Sequence, residues 1–270
     1  MTEIQSDELT RTRAVKLASG VVSYCEAGRG SSILFLHGLN GGATSWSEQF
    51  AAFSGRHRVI AWDAPGYGRS DAIEPSVDAY ASAAANLIYA LSAAPAAVVG
   101  HSMGGIVAAK LAQLRPDLVN RLVLSCTHWG HGLPVGAPLP SAYVRRLDEH
   151  RSNTPSEYGR IRAGTMLPPG ASPGVLARVA RIAAEVPLAG LESAILMMNA
   201  ADNRPLFAEL TMPILIVDAD ADPVVTPDRA ATFAALIPRA ERVTLGGIGH
   251  APYLEEPITY NRVIERFLAA

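Results

Sequence analysis

The segment at residues 100–105 reads GHSMGG and places a serine, Ser102, among glycines. An apolar run at 95–99 precedes it and a run of helix formers at 106–112 follows it, which predicts that a strand turns sharply into a helix at Ser102. A serine hydroxyl attacks a carbonyl group when a base removes its proton and hydrogen-bond donors stabilise the oxyanion. We therefore predict that Ser102 is a nucleophile and that the backbone amide of Met103, at the first turn of the helix, is one of the donors.

A nucleophilic serine needs a histidine as its base and a carboxylate that orients the histidine. Of the seven histidines, His250 stands in a glycine-rich segment after the last predicted strand, at the sheet edge where ligands of parallel sheets bind. The predicted strand at 213–217 is followed by Asp218, Asp220 and Asp222. Asp222 has the placement expected of the orienting acid, and Asp220 is the alternative. A calcium loop is excluded because the glycine and glutamate that it requires are absent.

A second oxyanion donor is predicted in the segment at 37–42, which reads HGLNGG after a continuous apolar strand. Its glycines let the backbone approach a ligand closely, and the amide of Leu39 is the predicted donor opposite Met103. A plain connection between a strand and a helix could have the same sequence. In the loop at 63–70, we expect Asp63 to cap backbone amides rather than to act as the catalytic acid.

Short apolar strands alternate with helical stretches along most of the chain, which predicts a parallel sheet covered on both faces. The alternation stops between residues 128 and 205, where helical patterns occur without strands. Such an interruption indicates an insertion that caps the ligand-binding end of the sheet. We therefore predict a core formed by residues 1–127 and 206–270 and a cap formed by residues 128–205.

The composition is that of one large α/β domain, with 270 residues of which 49% are hydrophobic. A net charge of −2 without a basic block excludes nucleic acid and anionic membrane surfaces as expected partners. Residues 1–13 lack the apolar centre of a signal peptide, and no apolar run has the length of a membrane span. We therefore expect a cytoplasmic protein.

Cysteine and arginine usage adds two expectations. Cys25 and Cys126 lie in apolar, strand-like contexts, which predicts buried thiols outside a disulfide, and no Cys/His spacing typical of a metal site occurs. Lys16 and Lys110 are the only lysines among the 23 basic residues. This bias indicates a genome-wide preference for arginine, so arginines in the predicted cap are weak indicators of an anionic substrate.

Five motifs together resemble the α/β-hydrolase superfamily, namely those at residues 37–38, 63–70, 100–105, 219–223 and 249–257. The resemblance covers most of the chain outside the predicted cap. It implies a doubly wound, mostly parallel eight-stranded sheet with a helical cap insertion. It also assigns Ser102, Asp222 and His250 to a catalytic triad.

Within the superfamily, the chain resembles small bacterial enzymes of aromatic catabolism. These include esterases, enol-lactone hydrolases and hydrolases that split carbon–carbon bonds in ring-cleavage products. Residues 42–46, GATSW, are similar to a stretch of the ring-cleavage group, but that group usually has asparagine where this chain has His101. Glycine is also more usual in the family at the position of Ala219.

The resemblance implies hydrolysis of a carboxylic ester or lactone of a small, largely apolar substrate through an acyl-enzyme, without a metal or organic cofactor. The alternatives are a carbon–carbon bond hydrolase acting on vinylogous diketones, a cofactor-free perhydrolase and a ligand-binding homologue. The expected partner is a small molecule, and the chain could form a homo-oligomer. Candidate pocket residues are His37, Asn40, His101, Trp129, Leu167, Met197 and Met198. Trp129, Leu167 and the two methionines could equally be core residues of the cap.

Overall fold

An eight-stranded sheet forms the centre of residues 11–270, the part of the chain that the computed structural model describes. The strands are β1 (Thr12–Leu17), β2 (Gly20–Ala27), β3 (Ser32–Leu36), β4 (Arg58–Trp62), β5 (Ala96–His101), β6 (Val119–Ser125), β7 (Ile214–Ala219) and β8 (Glu241–Leu245). Their spatial order is β1-β2-β4-β3-β5-β6-β7-β8. β2 pairs antiparallel with β1 and β4, and all other neighbours are parallel. The predicted fold class is therefore confirmed.

Strand β1 is the element of the sheet for which the sequence patterns give no separate signal. It lies at the edge, pairs with β2 alone, and its side chains are exposed or half-buried. Because no face of β1 is buried, its sequence lacks the apolar run that reveals the inner strands. β3, β5 and β7 are buried along their whole length and read as continuous apolar runs.

Helices cover both faces of the sheet. They are α1 (Ser47–Phe53), α2 (Val77–Ala90), α3 (Met103–Leu114), α4 (Ser141–Ser152), α5 (Pro155–Met166), α6 (Pro173–Ala184), α7 (Leu188–Ala200), α8 (Pro227–Ala235), α9 (Pro252–Glu255) and α10 (Pro257–Ala269). Alternate residues of β3 join different hydrophobic clusters, Leu34 and Leu36 with α2 and α3, and Ile33 and Phe35 with α1 and α10. The sheet therefore separates two cores, as the alternation of strand side chains requires.

Four helices, α4 to α7, lie between β6 and β7, in the segment predicted as a cap. The predicted helices at 141–151, 174–185 and 191–200 correspond to α4, α6 and α7. Helix α5 is additional, and it begins with a capping box in which Thr154 and Glu157 bond each other's backbone amides. The two domain boundaries, at 127/128 and 205/206, stay predictions.

The described helices include none with the length and apolar character needed to cross a membrane. The N-terminal segment from which a cytoplasmic location is predicted lies largely in residues 1–10, outside the described residues. Cys25 and Cys126 are buried and do not form a disulfide.

Candidate active site

The turn between β5 and α3 holds Ser102 in a backbone conformation that side chains rarely adopt, with φ 51° and ψ −117°. A Cβ on Gly100 would lie 2.3 Å from the carbonyl oxygen of Gly104, and a Cβ on Gly104 would lie 2.1 Å from that of Leu36. Both positions therefore require glycine. Thr127 stabilises the turn because its hydroxyl donates to the carbonyl oxygen of Ser102 at 2.6 Å. This strained turn leaves the Ser102 side chain at the carboxyl end of the sheet.

Ser102, His250 and Asp222 form a continuous chain of hydrogen bonds. Oγ of Ser102 lies 3.0 Å from Nε2 of His250, and Nδ1 of His250 lies 2.7 Å from Oδ2 of Asp222. The other carboxylate oxygen of Asp222 accepts from the amides of Val224 and Val225 at 2.7 and 2.9 Å. Because these amides fix the carboxylate, it holds the imidazole with its proton on Nδ1 and leaves Nε2 free to accept from serine.

The three aspartates after β7 have different partners. Asp222 alone contacts His250, whereas Oδ1 of Asp220 accepts from the amide of Gly247 at 2.6 Å. Asp218 pairs with Arg242 at 2.6 Å. The structure therefore brings Asp222, and not the alternative Asp220, to the histidine, while Asp220 fastens the loop in which the histidine stands.

The loop of His250 is also fastened to the cap. The amide of His250 donates to the carbonyl oxygen of Met166 at 2.8 Å, at the C-terminal end of α5. The carboxylate of Glu255, the last residue of α9, accepts from the loop amides of Gly249 and Ala251, each at 2.9 Å. Burial raises the pKa of Glu255. The position of the candidate base thus depends on groups from both the core and the cap.

Two backbone amides are available near the nucleophile. Within residues 11–270, the amides of Leu39 and Met103 donate to no acceptor. The loop of Leu39 lies against the nucleophile, because a Cβ on Gly38 would be 3.1 Å from Cβ of Ser102. Tyr67 fixes this loop by donating to the carbonyl oxygen of Leu39 at 3.0 Å. Both amides are therefore available to a ligand bound beside Ser102.

His37 holds this loop in place through two hydrogen bonds and does not line the cavity above Ser102. Its Nδ1 donates to the carbonyl oxygen of Gly38 at 2.8 Å, and its Nε2 accepts from the amide of Ala64 at 2.9 Å. Burial lowers the pKa of His37, which keeps it neutral in this double role. Asp63 accepts from the amide of Ala43 at 2.8 Å, so the prediction that it caps backbone amides is confirmed.

The family model that describes the alpha/beta hydrolase fold matches residues 32–257. The chain belongs to the alpha/beta hydrolase family. A polyketide synthase, ThaQ of Burkholderia thailandensis, is 31% identical to this alpha/beta hydrolase over 260 residues, a match that covers 89% of the chain and 12% of the synthase. The chain therefore spans a small part of that relative's length.

Two other comparisons cover nearly the whole of both proteins. A putative carbamate hydrolase, RutD of Azorhizobium caulinodans, is 28% identical over 253 residues, covering 89% of this alpha/beta hydrolase and 92% of RutD. The enol-lactonase of Burkholderia xenovorans has a TM-score of 0.85 at 23% identity, covering 96% of this chain and 100% of that structure. At that identity the structural likeness shows the shared fold.

A cavity of about 340 Å³ opens above Ser102, between the sheet and the cap. Its floor includes Leu39, Ser102 and His250, and apolar groups such as Met198 and Tyr253 line its sides. The opposite wall is charged and polar. It contains Tyr143, Arg145, Arg146 and Glu149 of α4, Arg162 of α5 and Arg229 of α8.

The predicted pocket residues divide into two sets. Asn40, His101 and Met198 line the cavity, whereas His37, Trp129, Leu167 and Met197 do not. Met197 is fully buried in the core, because neighbouring positions on α7 face different directions. Trp129 packs against the core beneath the guanidinium of Arg229, which lies 5.6 Å from its ring. The pocket prediction is therefore wrong for His37, and Trp129, Leu167 and Met197 take the alternative role of core residues.

His101 lies between the rings of His250 and Tyr253, with centroids 5.0 and 4.9 Å away. Burial holds its pKa well below the usual range. His128 and His131 also line the cavity, although no sequence pattern selects them. Their pKa values are likewise lowered by burial. The wall therefore contains neutral imidazoles, and its charge comes from arginines and glutamate.

Cys126, Asp222 and His250 offer potential metal-ligand atoms within 4.8 Å of one another. Both ring nitrogens of His250 and both carboxylate oxygens of Asp222 already have hydrogen-bond partners. Burial raises the pKa of the Cys126 thiol well above its usual value, so the thiol stays protonated. This donor set fits the hydrogen-bonded chain described above better than it fits a cation.

Proposed function

We propose that this chain is a serine hydrolase that cleaves a carboxylic ester or a lactone through an acyl-enzyme. The observation that carries the proposal is the hydrogen-bonded chain from Asp222 through His250 to Ser102, at 2.7 and 3.0 Å. It lies beside the two available amides of Leu39 and Met103. Ser102, His250 and Leu39 line one cavity, and the orienting acid Asp222 and the second donor Met103 adjoin them.

In the proposed reaction, Oγ of Ser102 attacks the substrate carbonyl while Nε2 of His250 takes its proton. Asp222 stabilises the resulting imidazolium, and the amides of Leu39 and Met103 stabilise the oxyanion. His250 then protonates the leaving oxygen, which departs as an alcohol or, from a lactone, stays attached as the far end of the acyl chain. A water molecule, deprotonated by His250, releases the acid and restores Ser102.

The names of the compared proteins are consistent with this proposal. An enol-lactonase shares the fold, and a putative carbamate hydrolase is among the relatives that match over nearly their whole length. Ester, lactone and carbamate cleavage all begin with attack on an acyl carbon, so one arrangement of nucleophile and amides serves each of them. Our choice of ester or lactone remains a proposal about the leaving group.

The test is hydrolysis of 4-nitrophenyl acetate and butyrate by the wild type and by Ser102→Ala. We expect a burst of 4-nitrophenol followed by turnover in the wild type, and a fall in kcat of about 10⁴-fold or more in the variant. Ser152→Ala, on the exposed surface of α4, is the matched control and should keep wild-type activity. Turnover that persists in a folded Ser102→Ala protein would rule the proposal out.

A further inference from the structure

The cavity wall opposite the sheet, here called the cap side, contains more arginines than acidic residues. Of the described residues, four arginines line it, three on the cap helices α4 and α5 and Arg229 on α8, outside the predicted cap, and Glu149 is the only acidic lining residue. Glu149 pairs with Arg162, whose side chain is 5% exposed. In the part of the chain that the structure describes, Arg145, Arg146 and Arg229 form no ion pair. The excess is local, because the whole chain has a net charge of −2.

The general abundance of arginine does not account for this wall. Most arginines without an acidic partner are exposed, where water solvates the guanidinium. Among residues 11–270, the half-buried arginines without an acidic partner are Arg121, Arg146 and Arg229. Arg121 lies over the ring of Phe267 and does not line the cavity, whereas the other two do.

Arg146 is the more available of the two. It makes no hydrogen bond, ion pair or ring contact within residues 11–270. Its charge is nevertheless felt by its neighbours, since it acts together with burial to lower the pKa of Arg162. An unpaired guanidinium close to a second one is unfavourable in a partly dry cavity, and an anion bound to Arg146 would relieve that repulsion.

Among residues 11–270, the contacts of Arg229 are with neutral groups. One of its terminal nitrogens lies 3.1 Å from Nδ1 of His128, and its guanidinium stacks on Trp129. Burial and the nearby charge of Arg229 hold the pKa of His128 well below its usual range, so the imidazole stays neutral. The contacts of Arg229 therefore do not neutralise its positive charge in the cavity wall.

We propose that the substrate carries a carboxylate remote from its scissile carbonyl, and that Arg146 binds this carboxylate with Arg229 as a second positive charge. The inference rests on the proposed function, because it places the scissile carbonyl at Ser102. A guanidinium presents paired N–H donors that match the two oxygens of a carboxylate. The cavity of about 340 Å³ restricts the substrate to a compact acid monoester or acidic lactone.

The first test compares two esters with the same leaving group and the same number of acyl carbons, mono-4-nitrophenyl adipate and 4-nitrophenyl hexanoate. We expect the wild type to favour the adipate in kcat/KM by tenfold or more. Arg146→Gln should reduce that preference at least tenfold, and Arg146→Lys should retain part of it. Arg160→Gln, on the exposed face of α5 and outside the cavity, should leave the preference unchanged.

The second test measures binding without turnover, by calorimetry on the Ser102→Ala protein. Monomethyl adipate should bind at least tenfold more tightly than methyl hexanoate, and adding Arg146→Gln should remove the difference. If neither ester is hydrolysed but this binding preference holds, the proposed function fails and the anion site stands. If both esters are hydrolysed equally well and Arg146→Gln changes no ratio, the anion site is wrong and the proposed function stands.

Discussion

The sheet side and the cap side of the cavity use their polar groups differently. On the sheet side, His250 uses both ring nitrogens and Asp222 both carboxylate oxygens in hydrogen bonds within the protein. On the cap side, Arg146 makes no such bond within the described residues. A polar group with all of its partners is held in one orientation, and a charged group without a partner is available to a ligand.

This contrast indicates different roles for the two sides of the cavity. The sheet side is arranged for a reaction that many acyl substrates share, and it is rigid because neighbouring backbone amides hold its side chains. In the proposed anion site, the cap side selects acyl substrates by their charge. Changes on the sheet side should therefore affect all substrates equally, and changes at Arg146 should depend on the charge of the substrate.

The largest effect is expected from Asp222→Asn. The asparagine oxygen can still accept from the amides of Val224 and Val225, which turns its NH₂ group towards His250. That group forces the imidazole into the tautomer whose Nε2 carries the proton and cannot accept from Ser102. We expect kcat to fall by about 10⁴-fold for charged and neutral esters alike.

Asp220→Asn is the matched control for this variant. It changes a neighbouring aspartate that bonds the amide of Gly247 and does not touch the histidine. We expect its kcat to stay within about threefold of the wild type, well inside the effect expected for the orienting acid. Similar losses in both variants would mean that the loop as a whole, and not the histidine–aspartate contact, determines activity.

Glycine-to-alanine changes in α3 and α5 should have opposite signs. Gly104→Ala places a methyl group 2.1 Å from the carbonyl oxygen of Leu36, in a strand that cannot move, whereas a Cβ on Gly164 meets nothing within 4 Å. We expect Gly104→Ala to lower the free energy of unfolding by about 3 kcal/mol. Gly164→Ala should raise it by about 0.5–1 kcal/mol. Urea unfolding of both variants measures the difference, and equal stabilities would contradict the proposed rigidity of the sheet side.

A pH dependence of stability involves both sides of the cavity. Burial lowers the pKa values of His37, His101 and His128 in the folded state. Below about pH 6.5 the unfolded chain therefore binds protons that the folded chain does not, and stability falls as the pH falls. Each histidine contributes up to about 1.4 kcal/mol per pH unit.

Urea unfolding at pH 7.5, 6.5 and 5.5 measures this dependence. His128→Asn removes one contributor from the cap side, so the decrease between pH 6.5 and 5.5 should be smaller in that variant. A free energy of unfolding that is the same at pH 7.5 and 5.5 would mean that the buried imidazoles accept protons without cost, and would contradict neutral imidazoles in the cavity wall.

The sheet side of the site could be predicted from the sequence because its geometry is local. Glycines at 100 and 104 are needed within one turn of Ser102, and the glycine-rich loops around Leu39 and His250 follow directly from strands. The choice between Asp220 and Asp222 depended on placement alone. The amides of Val224 and Val225, which hold the carboxylate of Asp222, are local too, but no sequence pattern identifies them in advance.

The cap side could not be predicted because it depends on how helices are rotated against each other. One residue along a helix turns the side chain by about 100°, so Met198 reaches the cavity while Met197 enters the core. In the sequence, the cap arginines are weak indicators of an anionic substrate because arginine is common throughout the chain. Their burial and their lack of acidic partners distinguish them, and both are properties of packing rather than of composition.

The hydrogen bond from the amide of His250 to the carbonyl oxygen of Met166 sets a condition on how the cavity opens. If α5 moves away from the sheet, the amide of His250 loses this acceptor. Opening the cavity at α5 would therefore also displace the base. An opening beside α4, where Arg145 is exposed, leaves the bond intact. A substrate that enters beside α4 therefore meets a base already in place, and Arg145 and Arg146 of α4 line the cavity there.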